Sequence, residues 1–202
     1  SSNNFQISGE YSRGLLNFNA GGFFNIVDDR ITTAWSRYLN GMIYTNIPRM
    51  NIVGVDASLS WRTHFGLGTR LSYVYTHEDI RKGTPVISAT RPHTATARID
   101  YARSWPKYSF NIALNARFLS QVTADEYTSY TDYTSTERVT YPSYLICKLN
   151  ITQNVWRGVN VILSVDNLFN YIPKYYYNNS PVTNGTTFSA GLSLDISEMC
   201  GK

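Results

Sequence analysis

The residue types that most often perform chemistry are few in this chain, and their spacing favours no enzyme. The histidines His64, His77 and His93 lie in separate segments, without the paired spacing of a metal site. Cys147 and Cys200 give neither a disulfide framework nor a CxxC pair. The sequence contains no GxSxG nucleophile motif and no phosphate-binding glycine loop. We therefore expect a protein that is not an enzyme and that carries no metal centre or cofactor.

Tyrosine is the residue type whose distribution suggests binding. Ten of the 16 tyrosines fall in three long connections between predicted strands. A phenol ring has a stiff flat face and a polar tip, so it can stack on a sugar, catecholate, porphyrin or corrin while hydrogen bonding at its edge. The alternative is that these rings pack on one another or mark the level of lipid headgroups. The candidate ligand-binding residues are Tyr127, Tyr130, Tyr133, Tyr175, Tyr176, Tyr177 and, at the same rim, His77.

The elements that must position these residues are predicted strands, recognised by period-two alternation. In the last one, TFSAGLSLDI, Phe188, Leu192 and Ile196 fall on one side while Ser189 and Asp195 fall on the other. Alternation alone fits a soluble sandwich, with the apolar side in a core, and an outer-membrane barrel, with the apolar side facing lipid. Nine such segments begin near Phe5, Leu16, Val53, Phe65, Ala95, Tyr108, Leu145, Val159 and Thr187.

The connections between these segments alternate strictly in length. Connections of a few residues surround Gly14, His64, Pro106 and Arg157. Connections of about 15 to 25 residues, long enough for extracellular loops, start from Asp28, Thr76, Gln121 and Tyr171. In an up-and-down meander, all short turns share one rim and all long loops share the other. This asymmetry is typical of outer-membrane barrels and not of soluble sandwiches. We therefore predict an all-β, antiparallel up-and-down transmembrane barrel.

Eight charged residues of the segments fall on the polar sides, while the apolar sides carry none in mid-strand. An Arg or Lys that faces lipid at the bilayer midplane costs about 2–4 kcal/mol, so the asymmetry favours a membrane barrel. A soluble lipocalin-like barrel requires the reverse, with apolar rows inside and charges outside. The residues expected to line a wet lumen, with carboxylates paired to nearby cations, are Arg70, Arg98, Arg117, Lys148 and Asp166.

The composition and charge argue against two further classes of protein. With 43% hydrophobic residues in a chain of 202, wholesale disorder is excluded. The net charge of +4 comes from interspersed acidic and basic residues, so a nucleic-acid partner is not indicated. No stretch approaches the roughly 18 to 20 consecutive apolar residues that a membrane helix needs.

Several motifs resemble a known family. The stretch VDNLFN (165–170), followed by SPVTNGTTFSAGLSLDI (180–196), resembles the last two strands of TonB-dependent outer-membrane receptors. In that family an NLF motif ends the penultimate strand and a Gly-x-x-Phe opens the last one. RPHTATARIDY (91–101) and NIVGVDASLSW (51–61) resemble earlier strands of the same barrel. The resemblance covers essentially the whole chain.

The resemblance implies an incomplete barrel. The family barrel has twenty-two strands around an N-terminal plug, so nine strands correspond to its C-terminal portion, over residues 1–202. The plug and the segment that binds TonB are then expected to be absent. The family usually ends on an aromatic residue that the barrel-assembly machinery reads, whereas this chain continues after Ile196 as SEMCGK.

The resemblance also implies a function. Family members in the bacterial outer membrane capture a scarce ligand with their loops and import it with energy supplied through TonB. A ferric siderophore, haem or a vitamin-like compound is the expected ligand, and His77 or His93 lies near the rim where haem iron would bind. The expected partners are outer-membrane lipid, TonB through the plug, the small-molecule ligand and the barrel-assembly machinery. A passive porin is the alternative that shares the alternation and the loop rule.

Overall fold

The structure is a computed structural model that describes residues 1–36, 39, 41–80, 89–106, 108–128, 135–175 and 183–199. It is almost entirely antiparallel β-sheet. The strands are β1 (Ser2–Arg13), β2 (Leu16–Ser36), β3 (Gly41–Arg62), β4 (Leu67–Ile80), β5 (His93–Trp105), β6 (Tyr108–Leu119), β7 (Val122–Tyr127), β8 (Thr136–Tyr141), β9 (Tyr144–Trp156), β10 (Val159–Asp166) and β11 (Thr187–Leu194). One helical turn, α1 (Ile196–Met199), follows the last strand.

The sheet is an up-and-down meander in which β1 to β6 are followed directly by β9, β10 and β11. These nine strands are the predicted ones, so the predicted fold class is confirmed. Among the described strands β1 pairs only with β2, and β11 pairs only with β10. The described part of the chain is therefore an open portion of a barrel, with a free edge at each end.

The connection predicted from Asp28 is wrong in its extent, because most of it is strand. Pairing between β2 and β3 continues from Asp28–Arg49 to Ser36–Gly41, well beyond the last β3–β4 pair, Met50–Ile80. The residues of this extension include Ile31, Thr32, Thr33, Ile43 and Ile47, whose β-branched side chains favour extended backbone. The two strands therefore project beyond the sheet as a ribbon.

Two further strands lie inside the long connection that starts at Gln121. Strands β7 and β8 form an antiparallel hairpin, which touches the end of β2 through one parallel pair, Ser36–Tyr127. The sequence of β7, VTADEY, contains two carboxylates, which strands disfavour. Tertiary contact overrides that preference, since Val122, Ala124 and Tyr127 are all buried.

Three of the four short turns at the opposite rim contain a glycine at positive φ. Gly14 and Gly158, in the turns after β1 and β9, have φ of 57° and 68°. Gly66, before β4, has φ of 103°, and its carbonyl accepts a hydrogen bond from the Ala102 amide. Glycine adopts positive φ without the steric cost that a Cβ brings, so these turns can be tight.

The two faces of the sheet differ sharply, and the apolar one is exposed. Phe188, Leu192 and Leu163 expose 79%, 72% and 45% of their surface. The buried hydrophobic residues lie mainly at the long-loop end: Ile47, Met50, Leu119, Val122, Ala124, Tyr127, Tyr141 and Tyr144. An exposed apolar surface that spans a whole sheet marks contact with a membrane or another protein. Within the described residues, no helix is long and apolar enough to cross a membrane.

Candidate functional site: the long-loop end and the polar face

The base of the β10–β11 connection is built by Asn167, the asparagine of the NLF motif. This buried residue has φ of 52°, a conformation that Asn tolerates better than most residues. Its side-chain amide donates hydrogen bonds to the Tyr171 carbonyl at 2.7 Å and the Thr183 hydroxyl at 3.0 Å. Its side-chain oxygen accepts a bond from the Tyr171 amide at 2.9 Å. The Asn167 side chain therefore joins the beginning and the end of the β10–β11 connection.

Arg91 is the residue on which three connections converge. Its side chain is 2% exposed. The guanidinium donates hydrogen bonds to the carbonyls of Ser120 and Pro142, the latter at 2.8 Å, and to the Tyr175 hydroxyl at 3.4 Å. These partners belong to the connections on either side of the β7–β8 hairpin and to the β10–β11 connection. These hydrogen bonds, made by the two terminal nitrogens of the guanidinium, offset part of the cost of burying its charge.

Aromatic rings surround the Arg91 guanidinium and complete what we name the Arg91 cluster: Arg91, Tyr141, Tyr144, Tyr171 and Tyr175. The guanidinium lies 4.9 Å from the centroid of the Tyr144 ring, within the range of a cation–π interaction. The Tyr144 ring stacks on Tyr171 at 5.4 Å, and Tyr141 contacts Tyr175 at 5.1 Å. The cluster therefore joins the start of β9 to the β10–β11 connection.

The hydroxyl groups of Tyr171 and Tyr175 lie 3.0 Å apart in this cluster. Burial raises the pKa of Tyr171 above its usual value, and the hydrogen bond with Tyr175 raises it further. The nearby Arg91 charge acts in the opposite direction but is outweighed. Tyr171 is therefore held as the neutral phenol, which can both donate and accept a hydrogen bond.

The predicted ligand-binding tyrosines fall into two groups. Tyr130, Tyr133, Tyr176 and Tyr177 lie outside the residues that the structure describes. Tyr127 is only 6% exposed and packs on Ile43, while the Tyr175 hydroxyl contacts Arg91, Tyr171 and Pro142. In this arrangement Tyr127 and Tyr175 organise the loop end, and their contact with a ligand stays a prediction.

His77 lies apart from that cluster. It is exposed and pairs in register with Val53, on the row of β4 that also carries Tyr73 and Tyr75. That row belongs to the apolar face of the sheet. His93, on the same face, lies 2.7 Å from the Tyr73 hydroxyl through Nδ1, and its ring contacts Tyr75 at 5.0 Å. The two histidines are thus not brought together with the loop tyrosines.

The polar face brings the predicted lumen residues together. Arg70, Arg98, Arg117 and Lys148, which we name the basic row, line one cavity of about 420 Å³ together with Asp166. They come from β4, β5, β6 and β9, which are successive neighbours in the sheet. A shared cavity follows from the strand order, since every second side chain of each strand faces the same side.

Ion pairs on this face involve part of the basic row. Lys148 Nζ lies 2.9 Å from an oxygen of Asp166. Arg98 Nε lies 3.1 Å from Asp100, which Arg62 also approaches to 3.8 Å. Such pairing was expected from the sequence. Because the cationic side chains are largely exposed, although Asp100 is buried, each pair contributes little to stability and acts mainly to hold the cations in place.

Sequence reasoning missed the role of Arg91 and Tyr144. Both occur at the ends of long connections, where no alternation marks a side chain as buried. The available signal was the pair of X-Pro steps, Arg91-Pro92 and Tyr141-Pro142, because a residue before proline favours extended backbone and leaves its connection stiff. That signal indicates an ordered segment, but it does not indicate which residues the segment contacts.

Comparison with known proteins agrees with this architecture. The family model described as "TonB dependent receptor-like, beta-barrel" matches residues 1–168. No curated protein matches the chain.

Solved structures of similar fold include several receptors and transporters. The FrpB iron transporter from Neisseria meningitidis (F3-3 variant) has a TM-score of 0.68 at 20% identity, over 96% of this chain and 31% of its own. The siderophore receptor PirA from Acinetobacter baumannii has a TM-score of 0.69 at 15% identity, over 96% and 31%. FpvA of P. aeruginosa, bound to heterologous pyoverdines, has a TM-score of 0.61 at 16% identity, over 84% and 23%.

This chain spans less than a third of the length of each of these proteins. At these identities the likeness shows the fold, and the family model extends over most of the sequence. The members of this family are β-barrels of the bacterial outer membrane. The open antiparallel meander, its exposed apolar face and the family match together show that the chain belongs to the TonB-dependent receptor β-barrel family.

Proposed function

We propose that this chain is a portion of an outer-membrane receptor that imports a scarce nutrient with energy supplied through TonB. The observation that carries the proposal is the division of the sheet into an exposed apolar face and a charged face with a cavity. The apolar face contacts lipid and the charged face lines an aqueous lumen, because lipid tolerates few charges while a lumen hydrates them.

The long-loop end is the proposed ligand-capture surface. The proposed binding residues are Tyr127, Tyr175 and His77, together with four residues that belong to the same long connections in the sequence: Tyr130, Tyr133, Tyr176 and Tyr177. The Arg91 cluster supports this proposal, since a surface pre-ordered before binding loses less conformational entropy when the ligand arrives. The proposed ligand is a ferric siderophore, haem or a vitamin-like compound; the FrpB iron transporter and the PirA siderophore receptor favour an iron ligand.

The remaining partners follow from a receptor of this class. TonB acts through a plug segment elsewhere in the full-length protein, and the barrel-assembly machinery inserts the barrel in the outer membrane. Lipid surrounds the apolar face. No nucleic acid takes part, and the chain carries out no catalysis.

Uptake in cells with and without TonB tests the proposal. A strain that lacks the gene should grow poorly when ferric siderophore is the limiting iron source, and the restored gene should correct the defect. In cells without TonB the restored gene should fail. Growth that is restored without TonB would instead favour a passive porin, and recovery of the protein in aqueous extracts without detergent would favour a soluble barrel.

A further inference from the structure

We propose that Arg103 and two stacked aromatic rings, Trp105 and Tyr108, form a site on the outside of the barrel that binds the phosphate of a membrane phospholipid. We name these three residues the Arg103 site. The proposal rests on the proposed function, since it requires that the apolar face of the sheet contacts lipid. The leaflet concerned is the periplasmic one, because the short turns of such barrels face the periplasm.

Arg103 lies at the short-turn end of the apolar face, where it pairs in register with Phe110. The other residues of β5 on this face are Tyr101, Ile99, Ala97, Ala95 and, at the far end, His93. At the rise and tilt of strands in such barrels, the ten steps from His93 to Arg103 span about 25 Å across the membrane. This matches the height of the apolar band of a transmembrane barrel, so Arg103 lies at the level of the phospholipid headgroups.

Aromatic side chains fix the position of the Arg103 guanidinium. Its central carbon lies 5.5 Å from the centroid of the Trp105 ring, within the range of a cation–π interaction. The Trp105 ring stacks on its cross-strand partner Tyr108, with the centroids 4.4 Å apart and the planes 3° from parallel. The guanidinium also donates a hydrogen bond to the Tyr101 side chain. The cation is therefore held in place before an anion binds.

The charge of Arg103 identifies the class of partner. Within the ranges that the structure describes, no ion pair involves this residue. The face on which it lies points away from the lumen, so a plug inside the barrel does not reach it. A guanidinium has five N–H donors, and its planar fork can bind two oxygens of one phosphate. At the headgroup level the phosphodiester of a phospholipid is the anion that complements this charge.

The surface next to the Arg103 site suits acyl chains, which a free phosphate lacks. From Arg103 the apolar face continues over Phe110 and Ile99, and Ile99 is 45% exposed. Six steps from Arg103, about 15 Å or one leaflet across the membrane, the small residues Ala97 and Ala116 are directly opposite each other. They line an apolar cavity of about 410 Å³, which can hold the end of a chain. A phospholipid therefore complements both the cation and the apolar surface beside it.

Native mass spectrometry of the full-length protein in detergent tests the site, with phosphatidylglycerol as the probe. The unmodified protein should retain this lipid but not diacylglycerol, which has the same chains and no phosphate. Inorganic phosphate should not displace the bound lipid, because it makes no contact with the apolar surface. Arg103→Gln should weaken the affinity for phosphatidylglycerol about 10-fold, the effect of losing one charge-assisted contact.

Arg13→Gln is the matched control and should retain the lipid as the unmodified protein does. Arg13 lies at the same rim and, through its pairing with Leu16, on the same face, but among the described residues it has no cation–π contact. The proposal is overturned if the unmodified protein does not retain phosphatidylglycerol or retains diacylglycerol equally well. It is also overturned if inorganic phosphate displaces the lipid, or if the two substitutions have equal effects.

A spin label separates this proposal from the proposed function. In a cysteine-free background, Leu114→Cys carries a nitroxide on the apolar face, directly opposite Ile99. Oxygen, which concentrates in lipid, should relax the nitroxide more strongly than a water-soluble nickel complex does. If this holds and phosphatidylglycerol is not retained, only the Arg103 site fails. If the nickel complex relaxes the nitroxide more strongly in folded, membrane-inserted protein, the lipid contact of this face fails, and with it the observation that carries the proposed function.

Discussion

At the scale of single residues, the loop end depends on one buried cation. Arg91 contacts three connections that are distant in sequence, from Ser120 to Tyr175. Hydrogen bonds to a charged group contribute more than neutral ones, and breaking them leaves a buried charge without partners. The order of the proposed ligand-capture surface therefore depends on a side chain that need not contact a ligand.

Arg91→Lys tests this role. Lysine keeps the charge but has no planar fork, so it cannot reach the Pro142 carbonyl and the Tyr175 hydroxyl together. We expect a loss of about 1.5–3 kcal/mol in unfolding free energy, the range for a hydrogen bond to a charged group. Limited proteolysis of the intact protein should also cut the connections around the cluster faster.

Arg49→Lys is the control, because Arg49 is exposed and approaches Asp28 only to 3.8 Å. It should leave both the unfolding free energy and the cleavage pattern unchanged. Equal effects of the two substitutions would show that Arg91 does not organise the loops.

Alkaline titration tests the environment of Tyr171. Its pKa is raised by burial and by Tyr175, so the neutral phenol stabilises the fold fully below the ordinary tyrosine pKa of about 10. This contribution is lost as the pH rises through the higher pKa of the folded state. In the tyrosinate absorbance, the difference between the unmodified protein and Tyr171→Phe should appear only above the main tyrosine transition. If the two absorbance curves already differ at the pH where the exposed tyrosines ionise, the buried environment assigned to Tyr171 is wrong.

At the scale of elements, the two rims are built by different means. The short turns are fixed by local backbone conformation, chiefly glycine at positive φ. The long-loop rim is fixed by non-local packing of the β2–β3 ribbon, the β7–β8 hairpin and the Arg91 cluster. Local backbone preferences determine a connection when the strands that it joins are close in sequence. This explains why the rim of short turns could be predicted from the sequence.

Two glycine substitutions separate conformation from close contact at the short rim. In Gly14→Ala the new Cβ meets no atom, so only the positive φ matters, at about 1–2 kcal/mol. In Gly66→Ala the Cβ also collides with the carbonyl of Ala102, so the loss should be clearly larger. Urea unfolding in lipid vesicles measures both. Equal losses would mean that the Gly66 turn relaxes without disturbing β5.

At the scale of the whole molecule, the difference between the two faces of the sheet indicates which solvent each face contacts. A soluble protein would not leave residues such as Phe188 and Leu192 exposed along an entire sheet face. Among the described strands, the outer edges of β1 and β11 have no partner strand, which is consistent with a portion of a larger barrel.

Adjacent residues of β10 provide a matched test of the two faces. Leu163 lies on the apolar face, and Ile162 lies on the face that carries Asp166. Leu163→Arg should cost about 2–4 kcal/mol, since it places a cation in lipid, whereas Ile162→Arg should cost much less. Folding into vesicles, followed by urea titration, measures the difference. A larger loss for Ile162→Arg would reverse the assignment of the faces.

The sequence predicted nine strands, their order and the sidedness of the basic row, because alternation and connection length depend on local spacing. It did not predict the ribbon beyond Asp28 or the β7–β8 hairpin. Both lie where the alternation is irregular: Asp29 has φ of 55° in one, and the charged pair Asp125–Arg138 lies in the other. The strand propensity of these segments is weak, so contacts with residues far away in the sequence determine their conformation.

The sequence by itself determined which side chains share a face, since the pleat of a strand fixes that with period two. Only the tertiary structure decided that Arg91, Tyr144, Tyr171 and Tyr175 form one cluster, and that Arg70 opposes Arg98. The physical reason is that register and loop packing join residues far apart in sequence. The free energy of those contacts depends on partners that no local pattern specifies.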